Sequence, residues 1–213
     1  MPAIDRSDKT KLYHPFVFDS TNFKDLDYIN TENVYNLWYM FGGHENANDY
    51  SGSHTTSIDL TGFDTNEKLK NLDGMFANCA DLEELTLPSN FGVNCTSMSH
   101  TFFNCRHLVE DNLANTLKQM VTDNVTDFSY MFASYKNNVD TEITDETTLT
   151  FPSSFSLRSA KTVEGMFAGY TQTKKLIITN NSTKPGRPIK SLENYSYMFA
   201  NNHSTSSELT SVD

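Results

Sequence analysis

The sequence predicts an α/β solenoid of about six repeats, each made of one short parallel strand and one short helix. Three observations predict it: a Met-Phe signature recurs along the chain, apolar residues keep fixed offsets before each Phe, and short alternating stretches separate the copies. The signature stands at Met40-Phe41, Met75-Phe76, Met131-Phe132, Met166-Phe167 and Met198-Phe199, with Thr101-Phe102 as a degenerate member. The Phe-to-Phe separations are 35, 26, 30, 35 and 32 residues, in the range of stacked supersecondary units, and their irregularity places the variation in loops.

Seven positions before each Phe stand Val34, Leu69, Cys95, Val125, Ala160 and Leu192, and four before it stand Leu37, Leu72, Met98, Phe128, Val163 and Tyr195. Apolar offsets of 0, 3, 6 and 7 place four side chains on one stripe of a two-turn helix and do not fit the alternation of a strand. Asn33, Asn94, Asn124, Ser159 and Ser191 sit where an N-cap would accept the first free amide. Gly43, Asn78, Asn104, Gly169 and Asn201 follow each Phe by two and mark a left-handed stop. The expected repeat core is Leu37, Met40, Phe41, Leu72, Met75, Phe76, Phe102, Val125, Met131, Phe132, Met166, Phe167, Met198 and Phe199.

Short strands are expected at Ile58–Leu60, Leu85–Leu87, Leu149–Phe151 and Leu176–Ile178, with Phe16–Phe18 opening the array. Their middle residues Asp59, Thr86 and Thr150 should face outward. Leu108 to Met120 fits the pattern poorly and is expected to hold its strand out of register. Residues 1–15 read as an N-terminal extension and 16–213 as one repeat domain; Leu209–Asp213 matches the start of a strand and then stops, the mark of an array that continues.

The strand pattern of Leu82–Leu87, followed by Asn124-Val125-Thr126-Asp127-Phe128-Ser129-Tyr130-Met131-Phe132 and its counterparts, resembles the BspA-type leucine-rich repeat of bacterial surface proteins and mycoplasma-type lipoproteins. The resemblance covers about residues 16 to 213. It implies a leucine-rich-repeat-like fold and an extracellular, adhesin-like or host-contacting protein anchored to a cell envelope.

Composition excludes several classes. With 16 Lys plus Arg against 27 Asp plus Glu, the net charge of -11 opposes a phosphate-tracking grip on nucleic acid or an anionic membrane surface. No apolar run reaches the roughly 18 residues of a membrane helix, and no direct membrane insertion is expected. No nucleophile is paired with a base by motif, no phosphate loop follows a strand and no His-Glu-x-x-His occurs, so no enzyme activity and no cofactor are expected.

Cys95, His100, Cys105 and His107 carry zinc-donor chemistry, but they lack paired spacing, and two fall in the columns of buried packing residues. Asp140 to Glu146 offers carboxylates without the glycine and spacing of a calcium loop. Lys184, Arg187 and Lys190 concentrate positive charge in a Pro/Gly-stiffened loop that could meet an anionic glycan. Tyr39, His100, Tyr130 and Tyr197 share a column two residues before each Phe, interrupted by Gly74 and Gly165, which a helix would place opposite the apolar stripe. Such aromatics can stack on sugars or on protein.

The function expected from these features is a non-enzymatic, cell-surface interaction or adhesion module with an elongated binding face for a protein or glycan. A phage or virion structural protein and a cytosolic repeat scaffold are the rival readings. Further copies of the chain or other assembly subunits are possible partners in each.

Overall fold

The computed structural model describes residues 22–23, 26, 29–42, 55–64, 67–134, 148–170, 173–178, 191–200 and 211–212. Six short strands and one helix follow in chain order: β1 (Asn22–Phe23), β2 (Ser57–Asp59), β3 (Glu84–Thr86), α1 (Glu110–Lys118), β4 (Thr148–Phe151), β5 (Lys175–Ile178) and β6 (Ser211–Val212). They form two three-stranded parallel sheets, β1-β2-β3 and β4-β5-β6.

The expected α/β solenoid with a helix in each of about six repeats is overturned. Among the described residues there is one helix, it lies outside every Met-Phe segment, and apart from the two sheets the backbone is made of turns and irregular structure. The reason lies in where the backbone amides go. Leu72, Gly74, Phe76 and Asn78 donate their N–H groups to the carbonyls of Ser97, Ser99, Thr101 and Phe103, each 25 residues on, at 2.8–3.1 Å. Met75, Ala77 and Cys79, between them, bond the carbonyl three residues back. An α-helix needs every interior amide for the carbonyl four back; here half are spent on the neighbouring copy and half on tight turns. The three-residue apolar spacing is that of successive i to i+3 turns.

The same ladder links each signature segment to the next, through parallel bridges Asn36↔Asn71, Asn71↔Ser97, Ser97↔Asp127, Asp127↔Thr162 and Thr162↔Asn194. It brings the signature phenylalanines into one file. Successive rings from Phe41 through Phe76, Phe102, Phe132 and Phe167 to Phe199 lie 5.4–5.7 Å apart, with interplanar angles of 3–13°. Stacked rings at this separation add to the burial energy of the rings themselves. Leu37, Leu72, Met75, Val125, Met131 and Met166 are buried beside this file, Met40 and Met198 pack against it in part, and Phe199 keeps one face 38% exposed.

Strands form where the sequence alternates. Ile58 of β2 registers with Leu85 of β3, and Leu149 of β4 with Leu176 of β5; all four are buried, while Asp59, Thr86 and Thr150 face solvent. The segment Phe16–Phe18 lies outside the described residues.

Leu108–Met120, expected as a displaced strand, instead contains α1. Leu113 and Leu117, four apart, bury one face. The polar side chains beside that face reach the open edge of the first sheet: Thr116 Oγ1 donates to the Leu85 carbonyl at 2.9 Å and Asn112 Nδ2 to the Glu83 carbonyl at 2.9 Å. The helix thereby covers an edge that would otherwise pair with another strand.

Phe132 touches Phe102, Phe151, Phe155 and Phe167. Phe132→Ala is expected to cost about 3–5 kcal/mol of unfolding free energy by opening a cavity in the file, measured by urea denaturation; a change near zero would place the Phe file outside the core.

Candidate functional site

The residues that share a face are those two positions before each signature Phe. Five positions before the Phe stands a short polar side chain in every copy, and it shapes the turn. Asn36, Asn71, Asp127 and Asn194 accept, through side-chain oxygen, the N–H two residues on at 2.7–2.9 Å, and Thr162 does so at 3.2 Å. In the Phe102 copy Asp73 reaches across from the preceding copy, accepting from the Ser99 amide at 2.9 Å and the Ser97 hydroxyl at 2.5 Å. These side-chain turns compete with helix formation.

The following bend forces the next position but one into the left-handed region. Tyr39, His100, Tyr130 and Tyr197 have φ of 50°, 57°, 56° and 57°, and Gly74 and Gly165 have 60° and 57°. A bulky side chain there is strained by about 1–2 kcal/mol. Four aromatic rings are therefore held at an angle the free chain avoids.

The column is not a helix's outer face, as expected, but a row of rings laid along the turns. The glycines do not break it. A Cβ on Gly74 would come within 2.5 Å of the Tyr39 ring, and one on Gly165 within 2.3 Å of the Tyr130 ring, so each tyrosine lies flat across the neighbouring glycine. His100 stacks on Tyr130 at 5.1 Å and 23°. Tyr39, His100 and Tyr130 are half-buried and Tyr197 is 70% exposed.

Hydrogen bonds fix the middle of the row. The Tyr130 hydroxyl donates to Glu164 Oε1 at 3.3 Å, and Asn194 Nδ2 holds Oε2 at 2.9 Å. Burial, then the Glu164 carboxylate beside it, raises the Tyr130 phenol above its ordinary value, so it stays a neutral donor. His100 Nδ1 lies 2.7 Å from Ser99 Oγ, whose hydroxyl reaches the Ser129 carbonyl at 3.1 Å. The one hydroxyl hydrogen can serve either acceptor, so the direction of the Nδ1–Oγ bond is set by the imidazole tautomer.

The expected N-caps do other work. Asn124 Nδ2 donates to the Val93 carbonyl at 2.9 Å, Ser159 Oγ to Asp123 at 2.6 Å and Ser191 Oγ to Arg158 at 3.1 Å, each tying its copy to the one before. Lys184, Arg187, Lys190 and the acidic stretch Asp140–Glu146 lie outside the described residues. Sequence reasoning missed Tyr35, Trp38 and Tyr195, which are 65%, 55% and 70% exposed in the first and last described segments of the ladder; nothing in their spacing marked them.

Among the described residues no cluster of three or more His, Cys, Asp or Glu side chains could hold a metal ion. Cys79 Sγ donates to the Phe41 carbonyl at 3.2 Å and Cys105 Sγ to the Phe76 carbonyl at 3.0 Å, while Cys95 Sγ lies 3.6 Å from the Leu69 carbonyl. His107 instead sits 3.7 Å from Asp81. Each thiol serves as a small donor to the preceding copy. No helix among the described residues is long and apolar enough to cross a membrane.

With this geometry in place, comparison with known families is decisive at one level. The family model described as "Mycoplasma protein of unknown function, DUF285" matches residues 10–112 and again 53–212. The chain belongs to that family. Comparisons with the curated proteins and with the solved structures gave no significant match.

Gly165→Ala is expected to destabilise the protein by about 1–3 kcal/mol, from the left-handed backbone and from collision with the Tyr130 ring. Combined with Tyr130→Ala the collision disappears, so a double-mutant cycle by chemical denaturation should cost less than the sum of the singles; strict additivity would mean that the ring does not lie on the glycine.

Burial pushes the thiols of Cys79 and Cys95 from an ordinary value near 9.0 up to about 12, and that of Cys105 well above it. The folded state thus holds these protons more tightly than the unfolded chain. Their contribution to stability is complete below about pH 9 and is lost as pH rises toward 12. The melting temperature should fall as pH is raised above 9, and native protein at pH 8 should leave all three thiols unreacted with an aromatic disulfide reagent until it is unfolded.

Proposed function

We propose that this chain is a non-enzymatic interaction module, displayed at a bacterial cell surface, that binds a protein or glycan along the row of rings from Tyr39 to Tyr197. The observation that carries the reading is that four aromatic side chains are held in strained left-handed positions in one continuous row, with glycines shaped to receive their neighbours. Strain of this kind persists only where the surroundings enforce it, and it concentrates where a surface is used.

Chemistry supports the same ligand class. Flat rings present an apolar face to the C–H face of a sugar or to an aromatic or aliphatic protein side chain, with hydroxyls at the margin. Rings already ordered lose little entropy on binding. The net charge of -11 disfavours a polyanion as the ligand of this row. The resemblance of the repeated motif to BspA-type leucine-rich repeats adds the surface location and the adhesive role to this proposal.

The test compares the wild type with Tyr39→Ala/Tyr130→Ala/Tyr197→Ala on glycan and matrix-protein arrays, with circular dichroism to verify folding. Loss of about tenfold or more in affinity for a wild-type ligand is expected. Equal binding by both would remove the row from the interface, and binding by neither would leave the module without a ligand of these classes.

A further inference from the structure

Two of the three cysteines occupy the same place in consecutive copies. Cys79 stands three residues after Phe76, and Cys105 three after Phe102. Their separation of 26 residues is the offset of the Asn71↔Ser97 bridge that sets these copies side by side. The alignment still holds next to the cysteines: the Asn78 amide donates to the Phe103 carbonyl at 2.8 Å, and Asn104 Nδ2 to Asn78 Oδ1 at 3.1 Å. Residues opposite each other on a parallel ladder lie about 4.8 Å apart. That spacing falls inside the Cα separation of roughly 4.4–6.8 Å that a disulfide spans, provided the side chains do not point apart.

The two thiols point the same way. Cys79 Sγ donates to the Phe41 carbonyl at 3.2 Å and Cys105 Sγ to the Phe76 carbonyl at 3.0 Å, each reaching the signature Phe of the copy before. The Phe76 carbonyl also accepts the Cys79 amide, at 3.1 Å. Cys105 Sγ thus already lies against the turn that carries Cys79. A rotation of the Cys79 side chain away from Phe41 aims its sulfur at Cys105. Both side chains are buried, so a bond between them uncovers no solvated group. Cys95 has no such neighbour, because Leu69 and Val125 hold its place in the adjacent copies.

We infer that Cys79 and Cys105 are a disulfide site, joined when the chain folds in the presence of a low-molecular-weight disulfide and locking two consecutive copies in register. The thiolate of one cysteine attacks a sulfur of the reagent, forming a mixed disulfide and releasing one reagent thiolate. The thiolate of the other cysteine then attacks the protein sulfur of that mixed disulfide, forming the Cys79–Cys105 bond and releasing the second reagent thiolate. Two cysteine thiols are oxidised, one reagent disulfide is reduced to two thiols, and the cysteines' two protons pass to them. The exchange precedes closure of the core, since burial keeps both groups as thiols in the folded chain and the thiolate is the nucleophile. The bond closes a loop that contains β3, and it removes that loop's freedom from the unfolded chain. Stability thereby responds to the redox state of the compartment in which the chain folds.

The test refolds the full chain from urea at pH 8 in mixtures of oxidised and reduced glutathione, quenches with acid and maps the cysteines by mass spectrometry without reduction. A Cys79–Cys105 linkage is expected, with Cys95 outside it. The oxidised chain should melt about 4 °C or more above the same chain with reductant. Cys79→Ala and Cys105→Ala should each lose this difference, read within each variant with and without reductant, and Cys95→Ala should keep it. A linkage that includes Cys95 would overturn the inference. So would refolded protein whose Cys79 and Cys105 remain thiols or retain glutathione, or an oxidised chain that melts no higher than the reduced one.

Discussion

The structure depends on how the backbone amides of each signature segment are divided. Alternate N–H groups turn inward to close tight turns, and the others turn outward to the next copy. An isolated segment would leave half its amides without a partner, and a buried unpaired amide costs roughly 1–3 kcal/mol. No copy can satisfy itself. The phenylalanine file, the left-handed positions and the side-chain turns all follow from keeping this backbone arrangement aligned from one copy to the next.

The short strands were legible in the sequence because they rest on local pattern. Ile58, Leu85, Leu149 and Leu176 alternate with polar neighbours and form strands at or within a residue of the expected places. The helices were not legible as false, because a three-residue apolar spacing serves both a helix face and a run of tight turns. The column that decides between them is Asn36, Asn71, Ser97, Asp127, Thr162 and Asn194, a residue class that draws nearby backbone amides into side-chain turns. Gly74 and Gly165, mid-way through the supposed helices, pointed the same way. The one true helix was missed because it occupies a place where the pattern required a strand, although Leu113 and Leu117 carry its spacing.

The aromatic column could be found by alignment, but its continuity could not. Gly74 and Gly165 look like gaps in a linear sequence. They become part of the row only when the ring of the preceding copy, 35 residues away in each case, is laid across them. That is a relation between copies, invisible to periodicity within one. The same holds for the thiols of Cys79 and Cys105, whose partners are carbonyls of the copy before.

The helix between the two sheets has a mechanical consequence. Because Asn112 and Thr116 occupy the carbonyls at the edge of β3, β3 and β4 share no ladder, while the turn ladder and the phenylalanine file run past the break uninterrupted. One wall of the molecule is continuous and the other is jointed. A slip of register in one sheet therefore has no strand bonds through which to reach the other; the halves are joined instead by the continuous wall and by α1, which packs against both β3 and β4.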